Sequence, residues 1–145
     1  MGDYFIYHGS PKKLIGNKLI PKKATDLGNR KENLHTGVYA TDIKEVAIAM
    51  AIISSKGVIC SSLKNNKPYG IIYDGWTEQR NIYLYSLSKK NFKNTPPNKH
   101  QYVSETPIKP VKIEVLKIKD YLNLIRKATK DEKEKFDKKY NMKLK

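Results

Sequence analysis

Hydrophobic and polar positions change period several times along the chain, and each change marks an element. Tyr4-Phe5-Ile6-Tyr7 is apolar and aromatic, runs into His8-Gly9-Ser10 and stops at Pro11, which lacks the N–H that a sheet ladder needs. A strand is expected there. Residues 11–34 are rich in Lys, Asn, Gly and Pro without a sustained period, and read as a long loop with one short extended piece at Leu19-Ile20. Gly37-Val38-Tyr39-Ala40-Thr41 is a second short strand. Asp42 then stands as an N-cap with Glu45 three positions on, the spacing of a capping box. Val46, Ala47, Met50 and Ile53 follow at helical spacing, so a helix over 43–54 is expected.

Beyond Gly57 the period becomes that of strands. Residues 58–60, 69–74 and 81–87 are expected as three strands, with a turn at 64–68 and polar connections between them. Residues 89–99, with Pro96-Pro97, read as another polar loop that holds neither strand nor helix. An extended segment over 100–106 and a last alternating strand over 111–116 come next, Glu114 being expected to face solvent between Ile113 and Val115. The tail from 118 to 140 is charged, and Leu122, Ile125 and Ala128 give a helix with a narrow apolar stripe. The sum is an α+β fold of short strands with one buried helix and one docked terminal helix. The expected units are a domain over 1–117 and a charged helix over 118–145.

Composition narrows the classes. With 39% hydrophobic and 10% aromatic residues the 145-residue chain can bury one core, which excludes a wholly disordered chain. The longest apolar run, residues 46–53, is too short to cross a membrane, and no signal peptide is visible, so a cytoplasmic domain is expected. A single cysteine, Cys60, allows no intrachain disulfide and no cysteine-cluster zinc site. It falls on an apolar strand, where a small thiol is buried and inert. The formal charge of +15 is carried almost entirely by lysine, with arginine only at positions 30, 80 and 126. Lysine attracts polyanions but lacks the bidentate fork that reads bases or phosphates, so the charge suits an anionic small molecule as well as a nucleic acid.

Few side chains can carry chemistry. Five of the 14 carboxylates lie on the charged tail, and Asp74, Glu78, Glu105 and Glu114 are the ones on or beside strands. His8 ends an apolar strand, whereas His35 and His100 sit in polar segments. None has the spacing of metal ligands, and no glycine loop matches a nucleotide fingerprint, so a metal site and ordinary ATP or GTP chemistry are disfavoured.

The set Tyr7-His8-Gly9-Ser10, then Gly37-Val38-Tyr39-Ala40-Thr41-Asp42 and a helix, then Tyr102-Val103-Ser104-Glu105-Thr106-Pro107 before a last strand, resembles the ADP-ribosyltransferase superfamily. Within its diphtheria-toxin and poly-ADP-ribosyltransferase class the layout is most similar to the small rifamycin ADP-ribosyltransferases, and the resemblance spans residues 4–117. It implies a split β-sandwich binding NAD between its sheets, and a mono-ADP-ribosyltransferase that cleaves the nicotinamide–ribose bond without a metal. By that resemblance His8 holds the adenosine ribose, Gly9 offers its backbone to the nicotinamide carboxamide, Ser10 lines the pocket and Tyr39 stacks on the nicotinamide ring. Glu105 is the catalytic carboxylate, with Asp74 and Glu78 as alternatives.

The chain departs from the family in places. The helix positions that supply a serine and a second tyrosine hold Ala47 and Met50, leaving Met50 at the cofactor. The loop that carries an acid in the rifamycin enzymes reads Lys90-Asn91-Phe92-Lys93, and Gln101 stands where relatives carry Glu. Two other classes therefore stay open: a degenerate module that binds NAD or ADP-ribose without turnover, and a basic nucleic-acid-binding domain. The acceptor is a small molecule, a protein or a nucleic acid, reached by basic loops over 12–33 and 89–99.

Overall fold

The computed structural model describes residues 5–23, 36–63, 70–96 and 98–140. The expected turn at 64–68, His35 and the loop from 24 to 34 lie outside the described residues, as does the side chain of Cys60. The fold is α+β. Strands β1 (Phe5–Ser10), β2 (Lys22–Lys23), β3 (Thr36–Thr41), β6 (Asn81–Ser88), β7 (Lys93–Thr95), β8 (Asn98–Ser104) and β9 (Lys112–Lys117) form one antiparallel sheet. Its order is β7-β8-β3-β1-β6-β9, with β2 also on β3. Strands β4 (Val58–Leu63), β5 (Gly70–Gly75) and β10 (Ile125–Lys127) form a second sheet in the order β10-β5-β4, with β10 parallel to β5.

Helix α1 (Lys44–Ile53) joins the two sheets. It packs on β1 and β6 of the large sheet and on β4, β5 and β10 of the small one. Seven of its ten residues are buried, so it is covered on nearly every side. Met50 is the apolar residue left out: it is 42% exposed, where the helical spacing put it on the core stripe with Val46 and Ala47. With two sheets to face, α1 buries Ile48, Ala49, Ala51 and Ile52 as well, and the stripe widens past any single face. Its core continues through Ile72, Ile82, Leu84, Ile118, Leu124 and Ile125. The opposite face of the large sheet carries a second core of Ile6, Val38, Ala40, Tyr85, Leu87 and Tyr102, covered by Leu19 and Ile108, which bridge to each other. Tyr85, fully buried, fastens this cover: its hydroxyl accepts from the Leu14 N–H at 2.8 Å and donates to the Lys12 carbonyl at 3.3 Å.

Several expectations are corrected. Asp42 is not the helix cap: Ile43 takes that position without a side-chain cap, and its N–H donates to Thr41 Oγ1 at 3.2 Å. The Asp42 carboxylate is drawn instead to His100, whose Nδ1 lies 2.9 Å away. Residues 89–99 are no plain loop, since they hold a 3-10 turn (Lys89–Asn91), β7 and the start of β8. His100 is accordingly on a strand. The charged tail is not one helix. A 3-10 segment (Ile118–Leu124) and β10 precede α2 (Lys130–Tyr140), because Ile125 is buried against β5 as a strand residue. Helix α2 starts in a capping box, with Glu132 N–H on Thr129 Oγ1 and Thr129 N–H on Glu132 Oε1. Two hydrogen bonds from Arg126 hold the same carboxylate, and chiefly through them its pKa falls to about 2. On β9 the expected faces are reversed: Ile113 and Val115 are exposed, and Glu114 is partly covered beside Lys44 of α1.

The contact that sets the distance between α1 and the large sheet is at Gly9. A Cβ there would lie 1.9 Å from the Ala47 carbonyl oxygen, a backbone atom that cannot turn aside. Gly9→Ala is expected to destabilise the fold by about 3 kcal/mol, the upper range for overpacking. Tyr85→Phe should cost about 1 kcal/mol through its lost hydroxyl bonds. Urea unfolding of both variants checks the order.

Candidate functional site

Strand pairing brings together residues far apart in the chain. β1, β3 and β8 are neighbours in the sheet, so His8, Gly9 and Ser10 lie beside Gly37-Val38-Tyr39, and Tyr39 pairs with Val103. Glu105 directly follows β8 at the same end. The β1–β3 ladder is registered at Tyr7 and Thr41. Beyond that pair the two strands are joined by a side chain: His8 Nδ1 sits 2.6 Å from the Tyr39 carbonyl oxygen.

That bond determines the chemistry of the imidazole. A carbonyl only accepts, so Nδ1 carries the proton and Nε2 presents a lone pair. Burial lowers the pKa of His8, the Tyr39 carbonyl pulls the other way, and the positive charge of Lys22 adds to the lowering. The ring is therefore neutral at pH 7, with Nε2 as an acceptor. Such an atom can take a hydrogen bond from a ligand hydroxyl.

His8 and Tyr39 are adjacent, yet their side chains leave opposite faces of the sheet. His8 pairs with Tyr85, its ring 6.0 Å from that ring, on the face away from α1. Tyr39, half-buried, shares the other face with Gly9, Gly37 and Val103 by strand alternation. On that face Val103, Glu105, Thr106, Asn91 and Lys93 line a cleft of about 380 Å³, within the size range of small-molecule sites. Glu105 is at its rim and exposed. Gln101, also on this face, donates through its amide to Thr95 Oγ1 at 3.1 Å. Ser10 Oγ accepts from the Lys12 N–H at the end of β1. Met50 is on the outer side of α1.

The reserve carboxylates separate. Asp74 belongs to the small sheet, where one oxygen accepts from the Gly75 N–H at 2.9 Å, and it lines a different cleft with Trp76, Lys127 and Lys133. Glu78 is exposed on the segment between β5 and β6, beside Gln79, whose amide donates to the Pro11 carbonyl just past Ser10. Of the two, Glu78 is on the segment tied to the His8 end of the sheet.

Sequence reasoning missed one cluster. Asp42, His100 and Tyr102 meet on the far end of β3 and β8, with the Tyr102 hydroxyl 3.4 Å from Asp42 and Lys89 Nζ 4.7 Å above the Tyr102 ring. Only the β3–β8 register could have revealed it. Among the described residues no group of three His, Cys, Asp or Glu side chains is arranged to hold a metal ion, and no helix is long and apolar enough to cross a membrane. Comparison of the chain with protein-family models, with curated proteins and with solved structures finds no match.

A half-buried neutral histidine makes stability depend on pH. Below about 6.5, the ordinary value, the unfolded chain takes up a proton that folded His8 resists, so stability falls as pH drops through the lowered folded value. His8→Asn keeps an N–H for the Tyr39 carbonyl without titrating. Urea midpoints at pH 7.5 and 5.5 should fall further for the wild type than for this variant; equal losses would show that folding does not shift the His8 pKa.

Proposed function

We propose that the chain is an NAD-dependent mono-ADP-ribosyltransferase, with NAD at the end of the large sheet where β1 parts from β3. The observation that carries this reading is that parting itself: the ladder gives way beside His8, Gly9 and Tyr39, with Glu105 one strand further on. An acceptor nitrogen at His8 suits the hydroxyls of a ribose, and a carboxylate beside Tyr39 suits the positive charge that develops as nicotinamide leaves. Breaking that bond resembles glycoside cleavage: nicotinamide departs with the bonding electrons, the ribose carbon becomes cationic, and an acceptor nucleophile adds there and loses its proton. The gain comes from fixing the ribose and stabilising the cation, which His8 and Glu105 respectively supply. The lysine-rich surface attracts the pyrophosphate.

A second reading is an NAD- or ADP-ribose-binding module without turnover. It is favoured by Gln101, an amide bound to Thr95 on the face shared with Tyr39, where the ADP-ribosyltransferases it resembles carry Glu. One experiment separates the two. NAD should raise the melting temperature under both readings, but nicotinamide release with an acceptor present belongs to the first alone.

Glu105→Gln should lower release at least about 100-fold, the scale of a lost electrostatic group, while sparing the thermal shift. His8→Ala should remove the shift itself. Full activity in Glu105→Gln would transfer the role to Glu78, and no thermal shift with millimolar NAD would end both readings.

A further inference from the structure

Strand β9 ends the large sheet, and among the described residues it pairs with β6 alone. Ile113 and Val115 are 51% and 60% exposed, on the face that Tyr83 and Tyr85 share one strand inward, and Val111, just before the strand, is 60% exposed. The cover formed by Leu14, Leu19 and Ile108 closes over the cluster around Tyr85 but leaves this outer strand open. Edge strands are usually blunted by charges or bulges, since an apolar edge with open backbone groups invites another strand. The Ile118 N–H donates to the Arg80 carbonyl at 2.9 Å, which turns the backbone groups of even-numbered β9 residues toward β6. Ile113 and Val115 therefore present theirs to the open side.

The sequence of β9 is self-complementary in one register. With a second copy antiparallel and Ile113 opposite itself, Lys112 falls opposite Glu114, and Val115 comes beside Val111, which precedes the strand and donates its N–H to the Ser86 carbonyl. Across residues 112–114 the two isoleucines then meet on one face, and each charge meets its opposite on the other. Shifting so that Glu114 or Lys112 faces itself keeps the backbone pattern but sets like charges in contact. The axis through Ile113 also pairs the outward backbone groups of that residue with each other, as an isologous interface requires.

We propose that β9 is a homodimer edge, two copies joining their large sheets antiparallel about Ile113. At about 0.15 M salt, where repulsion between two +15 chains is screened, sedimentation equilibrium should give twice the 16.7 kDa chain mass. Ile113→Lys should raise the dissociation constant at least about tenfold with an unchanged circular dichroism spectrum, since the position is already exposed.

Lys112→Glu should weaken the dimer, and adding Glu114→Lys should restore it. Cysteine reports the register in a Cys60→Ser background. Ile113→Cys should crosslink, because the paired Cα atoms would be about 5.5 Å apart. Val115→Cys should not, because its copies would be about 14 Å apart along the strands. A monomer at every concentration up to about 0.5 mM, a dimer indifferent to Ile113→Lys, or crosslinking through Val115→Cys in place of Ile113→Cys would each overturn the proposal.

Discussion

The structure depends on the approach of α1 to β1 at Gly9, where the Ala47 carbonyl occupies the volume a side chain would need. The helix can lie that close only because the strand offers a glycine and the helix an alanine. Once there, α1 separates the two sheets and supplies the core of both, which is why almost its whole circumference is buried. The small residues Ala47, Ala49 and Ala51 are thus spacing elements as much as hydrophobic ones. The interval between the sheets, the place expected for a ligand, is filled by this helix.

The candidate site is in the plane of the large sheet. Where β1 and β3 stop pairing, a histidine side chain takes the carbonyl that a ladder N–H would have used; that bond places the proton on Nδ1, while burial keeps the ring neutral. The charged surface outside it is nearly all lysine, a diffuse attraction that brings anions near without selecting them. Under the proposed function, selection would rest with Nε2 of His8, the hydroxyl of Ser10, the ring of Tyr39 and the carboxylate of Glu105.

Legibility in the sequence was uneven for physical reasons. Strands β1, β3, β5, β6 and β9 carry strong apolar or β-branched signals and fall where the pattern puts them. The tail misled because a charged, alternating stretch supports helix locally, while Ile125 gains more by joining β5 as a strand. The segment before β8 misled because Lys93-Asn94-Thr95 has no apolar signal and becomes a strand through its partner. On β9 the pattern identified two faces correctly but not which one the protein covers.

The amino-acid sequence by itself determined most element types in the first half, the α+β class, the placement of His8 on the first strand and the lysine-dominated charge. Those follow from local periodicity and composition, which need no knowledge of neighbours. Tertiary structure alone decided that Asp42 serves His100 instead of a helix, that Met50 faces outward, and that His8 and Tyr39 point to opposite sides of one sheet. Each of these turns on strand order and register, set by long-range packing around α1, and residues far apart in the chain carry no local mark of the partner they will meet.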